Sequence, residues 1–155
     1  MTPTSTASMT TARQMYLINT NIISELRKGK AVDRGVIEFM SKATAGNRGC
    51  YLSVVTIGEL QRGISMIQYR GDTNQANTLM DWLENIVTEY KHYILPIDQD
   101  VAKIWANLRV PHHENAIDKM IAATALLHSL TLVTRNTKDF ERTGVSFVNP
   151  FQSAQ

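Results

Sequence analysis

Residues 115–140, NAIDKMIAATALLHSLTLVTRNTKDF, contain the pattern that decides the fold. The segment 116–130 is apolar on nearly every side at helical spacing, which predicts a helix at the centre of its layer. The next run, Leu130 to Thr134, is short and rich in β-branched residues, which predicts a strand. Asn136 and Asp139 come directly after it. We therefore expect polar side chains at the carboxyl end of a buried strand.

Short apolar runs alternate with longer amphipathic segments along the rest of the chain. The predicted strands are 15–18, 50–55, 93–97, 130–134 and 145–148, and the predicted helices are 22–28, 33–43, 57–69, 74–90, 99–108 and 114–129. Gly71 is a predicted helix end within a helical hairpin. Because helices connect the strands, we expect an α/β fold with a mainly parallel sheet of four to five strands, buried on both faces.

Length and composition restrict the class of protein. A chain of 155 residues, 43% of them hydrophobic, predicts one globular domain. We assign that domain to residues 15–155, because residues 1–14 are rich in Thr and Ser without apolar periodicity and predict a disordered tail or added sequence. The net charge of +2 predicts no strong overall attraction to nucleic acid. One cysteine, no long apolar run and no signal-peptide pattern predict a cytoplasmic protein without a membrane partner.

Several common catalytic motifs are missing from the sequence. It has no GxxxxGK[ST] phosphate loop, no GxGxxG, no GxSxG and no HExxH. These absences argue against ATP hydrolysis, dinucleotide binding, serine hydrolysis and zinc proteolysis.

Acidic and amide residues instead stand at the junctions between strands and helices. They are Asn19, Thr20, Asn21, Glu59, Asp118, Asn136 and Asp139. In parallel α/β sheets, ligands bind at the carboxyl ends of the strands. Asp118 reaches the same edge if its helix runs back across the sheet.

Each acid also has a purely structural interpretation. Thr56 and Glu59 match a capping box, and Asn115 and Asp118 have nearly the same arrangement. Asp139 would lie in a first helical turn, where the helix dipole favours an acid. If the acids converge, however, they repel one another unless a cation lies among them, and their hard oxygen ligands suit Mg²⁺ or Mn²⁺. The matching chemistry is metal-assisted hydrolysis of a phosphodiester.

Four ordered motifs resemble the PIN-domain ribonucleases, and among them the VapC toxins of bacterial toxin-antitoxin pairs. The motifs are YLINTNIISEL (16–26), SVVTIGELQRGI (53–64), NAIDKMIAATALLHSLTLVTRNTKDF (115–140) and GVSFVNPF (144–151). The resemblance implies a PIN-like three-layer sandwich and a toxin that is an Mg²⁺- or Mn²⁺-dependent endoribonuclease. It also implies a VapB-like antitoxin as partner, an RNA substrate with transfer RNA as one option, and a homodimer.

Carried over residue by residue, the family's acidic pocket corresponds to Asn19, Glu59, Asp118 and Asp139 as catalytic residues. Thr20, Asn21, Thr134 and Asn136 are the supporting residues, and Thr134 is expected to help hold a metal-bound water. The metal is expected at position 19 and Asp118, with Glu59 and Asp139 as further ligands.

Position 19 departs from the family pattern, since the chain reads Asn-Thr-Asn where the family has Asp-Thr-Asn. Asn keeps the shape of Asp but removes a charge, which predicts a preserved fold and activity lowered by about 10² to 10⁴-fold. An engineered substitution and a natural one both remain open. So does a second function, a catalytically inert PIN-fold module that binds RNA or an antitoxin.

Overall fold

The computed structural model describes residues 14–45 and 49–152. At its centre, the strands of this part of the chain form a sheet in the order β3–β2–β1–β4–β5, with each neighbouring pair parallel. The strands are β1 (Tyr16–Ile18), β2 (Cys50–Ser53), β3 (Ile94–Leu95), β4 (Thr131–Val133) and β5 (Phe147–Val148). The α-helices are α1 (Thr20–Leu26), α2 (Arg34–Ala45), α3 (Val54–Tyr69), α4 (Thr73–Glu89), α5 (Gln99–Leu108) and α6 (Ala116–Leu127). Short 3₁₀ helices cover Gly29–Ala31 and Thr137–Phe140.

The central strand β1 divides the core into two layers. Its side chains alternate between the faces of the sheet, as strand geometry requires. Tyr16 and Ile18 pack in one cluster with side chains of α1 to α4, and Leu17 packs in the other with Ile121 of α6 and Leu132 of β4. All three β1 residues are buried. The result is the predicted three-layer α/β sandwich with a parallel sheet of five strands.

The helical hairpin and the central helix are also confirmed. Gly71 has a φ of +95° after α3 and donates its N–H to the carbonyl of Gln68 at 2.9 Å, so it ends the helix as expected. In α6, the run Ile121–Ala125 is buried. None of the helices in the described ranges is long and apolar enough to cross a membrane. Of the predicted tail, only Gln14 is described, and the rest lies outside the described residues.

The start of α3 differs from the prediction. The helix begins at Val54, three residues earlier than expected, because Ser53 is its N-cap and accepts a hydrogen bond from Val55 N at 3.0 Å. This cap outweighs the strand propensity of Val54 and Val55. Thr56 therefore lies buried inside the helix, and the capping box predicted for Thr56 and Glu59 is wrong.

The C-terminal segment crosses closely over the start of α2. Asp33 Oδ1 accepts hydrogen bonds from Gly35 N at 2.8 Å and from Gln152 N at 3.0 Å. A Cβ atom added to Gly35 would lie 2.1 Å from the carbonyl oxygen of Pro150. Only glycine leaves room for this crossing.

We predict opposite effects of alanine at two helical glycines. Gly35→Ala should lower the free energy of unfolding by about 1 to 3 kcal/mol, since backbone must move to admit the methyl group. Gly63→Ala in α3 is the matched control, because a Cβ there meets nothing within 4 Å. It should raise the free energy of unfolding by about 0.5 to 1 kcal/mol. Urea unfolding measures both, and equal stability of the two variants would contradict the close crossing.

Candidate active site

Asn19 lies directly after β1, at the carboxyl edge of the sheet, and is buried. Its Oδ1 accepts a hydrogen bond from Thr20 N at 2.8 Å and so caps α1. This bond orients the amide, because only the oxygen can accept from a backbone N–H. The Nδ2 then faces the buried hydroxyl of Thr134 and donates to Oγ1 at 2.9 Å. The residue after the central strand is therefore joined to the residue after β4.

Thr134 is a point of convergence for several donors. Besides Asn19, Asn21 Nδ2 donates to its Oγ1 at 3.2 Å, and the backbone N–H of Asn136 donates at 3.1 Å. A hydroxyl oxygen has two lone pairs, so three donors crowd it. Asn21 also accepts from Arg135 N at 3.3 Å through Oδ1. The supporting residues expected from the sequence, Asn21, Thr134 and Asn136, thus form one network with Asn19.

Thr20 connects this network to α3. Its hydroxyl donates to Glu59 Oε1 at 2.6 Å and lies 3.0 Å from Thr56 Oγ1. Glu59 is otherwise exposed, one turn into α3 after the buried Thr56. Since the Thr20 bond fixes one carboxylate oxygen, Glu59 is oriented towards the first turn of α1. Sequence patterns assigned Thr56 to a cap and so missed this contact.

Asp118 lies half-buried near the start of α6. Burial, and to a smaller extent the negative charges of Asp139 and Glu59, raise the pKa of its carboxyl group from 3.8 to about 6. α6 also contacts α3, which carries Glu59, and the 3₁₀ helix that carries Asp139. We call the region between these three carboxylates the carboxylate cleft.

The structure supports the helix-capping interpretation of these residues only in part. Asn115 begins α6 with φ 58° and ψ 45°, and its side chain makes no capping hydrogen bond. Asp139 does lie in the first turn of the 3₁₀ helix Thr137–Phe140, where an acid is favoured, and its side chain is exposed. A first-turn role thus applies in part to Asp139 and equally to Asp118, which lies in the first turn of α6. Burial of Asp118 nevertheless disfavours its charged form.

In the described part of the chain, the carboxylates do not by themselves form a complete metal-binding site. Within residues 14–45 and 49–152, no three Asp, Glu, His or Cys side chains are grouped closely enough to hold a metal ion by themselves. Mg²⁺ usually binds through one or two carboxylates together with waters and substrate phosphates. The donor chemistry of the cleft therefore fits a hard divalent cation, although position 19 contributes a neutral amide.

We predict that neutralising Asp118 stabilises the metal-free protein. Asp118 ionises at about pH 6 in the folded chain but near its ordinary value of 3.8 when unfolded, so its charge lowers stability as pH rises between these values. After discounting for solvent screening, Asp118→Asn should gain about 1 kcal/mol of unfolding free energy at neutral pH and little below about pH 4. Urea unfolding in EDTA measures this gain.

The matched control is Asp81→Asn, which removes an exposed carboxylate from α4. This variant makes the same change in net charge as Asp118→Asn, but at a position outside the cleft. A gain for Asp118→Asn no larger than that of Asp81→Asn would contradict the electrostatic coupling.

Known proteins are similar to this chain over most of its length. The PIN domain family matches residues 16–145. The toxin FitB of Neisseria gonorrhoeae is 34% identical over 143 residues, which cover 88% of this chain and 99% of that protein. The VapC ribonuclease Y4jK of Sinorhizobium fredii is 29% identical over 146 residues, covering 90% of this chain and all of that protein.

Solved structures give the same result. FitAcB from Neisseria gonorrhoeae superposes with a TM-score of 0.78 at 32% identity, over 90% of this chain and 100% of that chain. FitAB bound to an IR36 DNA fragment gives a TM-score of 0.77 at 31% identity, over 91% and 99%. VapBC2 from Rickettsia felis bound to promoter DNA shares the fold, with a TM-score of 0.68 at 21% identity over 88% of this chain and 98% of that chain. The chain therefore belongs to the PIN domain family, in the branch that contains the VapC and FitB toxins.

Proposed function

We propose that this protein is the toxin of a toxin-antitoxin pair and hydrolyses RNA phosphodiesters as an Mg²⁺- or Mn²⁺-dependent endoribonuclease, with activity impaired by Asn19. The observation that carries the proposal is the hydrogen-bond network at the carboxyl edge of the sheet, in which Asn19 bonds to Thr134 and the neighbouring Thr20 bonds to Glu59. The raised pKa of Asp118 beside this network supports it. Relatives named as VapC ribonucleases support the reaction class. A cation that binds among carboxylates relieves the repulsion between them. Mg²⁺ bound in this way commonly also contacts phosphate groups of the substrate.

Position 19, in an acidic form, and Asp118 are the residues that would hold the cation, with Glu59 and Asp139 as further ligands. When bound, the cation supplies activation of a water and stabilisation of the charge that develops on the phosphate. Thr20 keeps Glu59 oriented through the hydrogen bond to Oε1. Thr134, held by Asn19 and Asn21, offers a fixed hydroxyl for orienting a water beside the cleft.

Asn19 accounts for impairment without loss of the fold. Its Oδ1 is used by the cap of α1, and its Nδ2 presents a donor towards Thr134. A cation is therefore offered one fewer anionic oxygen than an Asp would give. An Asp could keep the same cap through one oxygen and accept the Thr134 hydroxyl proton through the other, which would relieve the crowding at that oxygen.

The partner we propose is a VapB-like antitoxin, because the solved relatives include FitAB and VapBC assemblies, some of them bound to DNA. We also propose a homodimer in the cytoplasm. Val54 and Ile117 are exposed apolar side chains that a second chain would cover. Transfer RNA is one option for the substrate.

A second candidate is an inert PIN-fold module that binds RNA or an antitoxin without cleaving RNA. The neutral amide at position 19 favours it. The two candidates differ in their response to one substitution, because restoring a carboxylate gives activity only where the remaining site is catalytically competent.

We predict that Asn19→Asp restores metal-dependent cleavage. With Mn²⁺, the variant should cleave total RNA about 10² to 10⁴ times faster than the unchanged chain, since the added charge contributes to metal-dependent stabilisation of the transition state. EDTA should abolish that activity. Timed digestion of labelled transfer RNA and of messenger RNA measures the rates.

Loss of activity in double variants is the control. Added to Asn19→Asp, either Glu59→Gln or Asp118→Asn should return the rate to that of the unchanged chain, whereas Asp81→Asn should leave it unaffected. A folded Asn19→Asp variant that cleaves no RNA would leave the inert module as the function. Equal rates with and without Asn19→Asp would show that the site does not need an acid at this position.

A further inference from the structure

A second feature lies beside Asp139 and shares that residue with the carboxylate cleft. It is a cavity of about 360 Å³, which we call the Asn149 cavity. It is lined by Arg135, Asn136, Thr137, Lys138, Asp139 and Asn149. Its volume is within the range of about 300 to 1,000 Å³ typical of small-ligand sites. Because Asp139 belongs to both, whatever occupies this cavity lies beside the carboxylate cleft.

Two amide side chains give the cavity hydrogen-bonding capacity. Asn149 uses Oδ1 to accept from Phe151 N at 3.0 Å, and no hydrogen bond of its Nδ2 occurs among the described residues. Asn136 precedes the 3₁₀ helix, but its side chain makes no capping bond. Amide groups present donors and acceptors side by side, as the edges of nucleobases do. Both amides can therefore bond the exposed edge of an unpaired base.

Two cationic side chains line the same cavity. The Arg135 guanidinium lies 4.4 Å from the centre of the Phe151 ring, which fixes its plane. Within the described part of the chain, Lys138 makes no ion pair with an acid. The lining therefore carries two cationic groups beside the one carboxylate of Asp139, and Lys138 is the cation that we assign to a phosphate group beside a base.

A second groove, on the α6 side of Asp139, differs in charge. Its volume is about 320 Å³. Its ionic side chains are Lys119, Lys138 and Arg142 against Glu114, Asp139 and Glu141. Three cations and three acids leave no net attraction for a phosphate backbone. Of the two sides, the Asn149 cavity is the better binding place for a nucleotide.

We infer that the Asn149 cavity is a nucleotide subsite that reads one unpaired base next to the scissile phosphate, with Asn136 and Asn149 on the base edge and Lys138 on the adjoining phosphate. This inference deepens the proposed function and rests on it. It assigns base preference to side chains outside the carboxylate cleft.

The test uses the unchanged chain, since Asn19 allows binding to be measured with little cleavage. Fluorescence anisotropy in EDTA compares four labelled single-stranded RNA decamers, each made of one base. Asn149→Ser keeps an oxygen that can accept from Phe151 N but removes the amide. Asn77→Ser is the matched control, because Asn77 is an exposed amide on α4, outside the residues that line this cavity.

We predict that the unchanged chain prefers one base and that Asn149→Ser weakens binding to that decamer about 10-fold, so that the preference is largely lost. Lys138→Gln should weaken all four decamers equally and reduce the salt dependence by about one counterion. Asn77→Ser should match the unchanged chain. Identical binding by Asn149→Ser and Asn77→Ser, or no base preference in the unchanged chain, would overturn the subsite.

Cleavage assays separate this inference from the proposed function. If Asn19→Asp cleaves RNA and adding Asn149→Ser alters neither KM nor the choice of cleaved sequence, the subsite is overturned and the nuclease stands. If Asn19→Asp does not cleave but Asn149→Ser still removes base preference in binding, the nuclease is overturned and the RNA-binding cavity stands.

Discussion

The buried hydroxyl of Thr134 joins the two turns from which the site is built. One turn follows β1 and carries Asn19 and Asn21, and the other follows β4 and carries Asn136. Neighbouring parallel strands bring these turns together, but strand pairing alone leaves their side chains free to rotate. The hydrogen bonds to one oxygen remove that freedom. This connection joins the turn that begins α1 to the turn that begins the 3₁₀ helix carrying Asp139.

Asn19 can replace an acid because folding and chemistry use different properties of the side chain. The cap of α1 needs a side chain of the right length that ends in an oxygen acceptor, and Asn and Asp both supply one. A divalent cation is held by charge, which only Asp supplies. The same fold is therefore compatible with an active toxin and with an inert one. Stability in this region says nothing about catalytic capacity.

Electrostatic repulsion among the carboxylates is the reason for proposing a cation in the cleft. Asp118 is half-buried and faces the charges of Asp139 and Glu59, so its ionised form is disfavoured in the protein alone. A structural role would be served better by an uncharged side chain. An acid that lowers stability at such a position is common at functional sites, which fits the proposed binding of a cation. The neighbouring Asn149 cavity has the opposite balance of charge and would hold the substrate beside the cation.

Local patterns in the sequence determined the elements of this protein. The apolar runs predicted five strands, and Gly71 predicted the break in the helical hairpin. Apolar residues on nearly every side of the helix predicted for 116–130 indicated its central position. These features depend on near neighbours, so periodicity and turn chemistry suffice to find them. The start of α3 was missed because Ser53 competes with the strand propensity of the following valines.

Only the tertiary structure decided which polar residues act together. Thr20 meets Thr56 and Glu59 across 36 and 39 positions of the chain, and Asn19 meets Thr134 across 115. Asn149 joins Arg135 and Asn136 after β5 has returned the chain to the same edge of the sheet. Spacing along the chain carries no signal for such contacts, because they depend on the order of strands and on the direction in which each helix crosses the sheet.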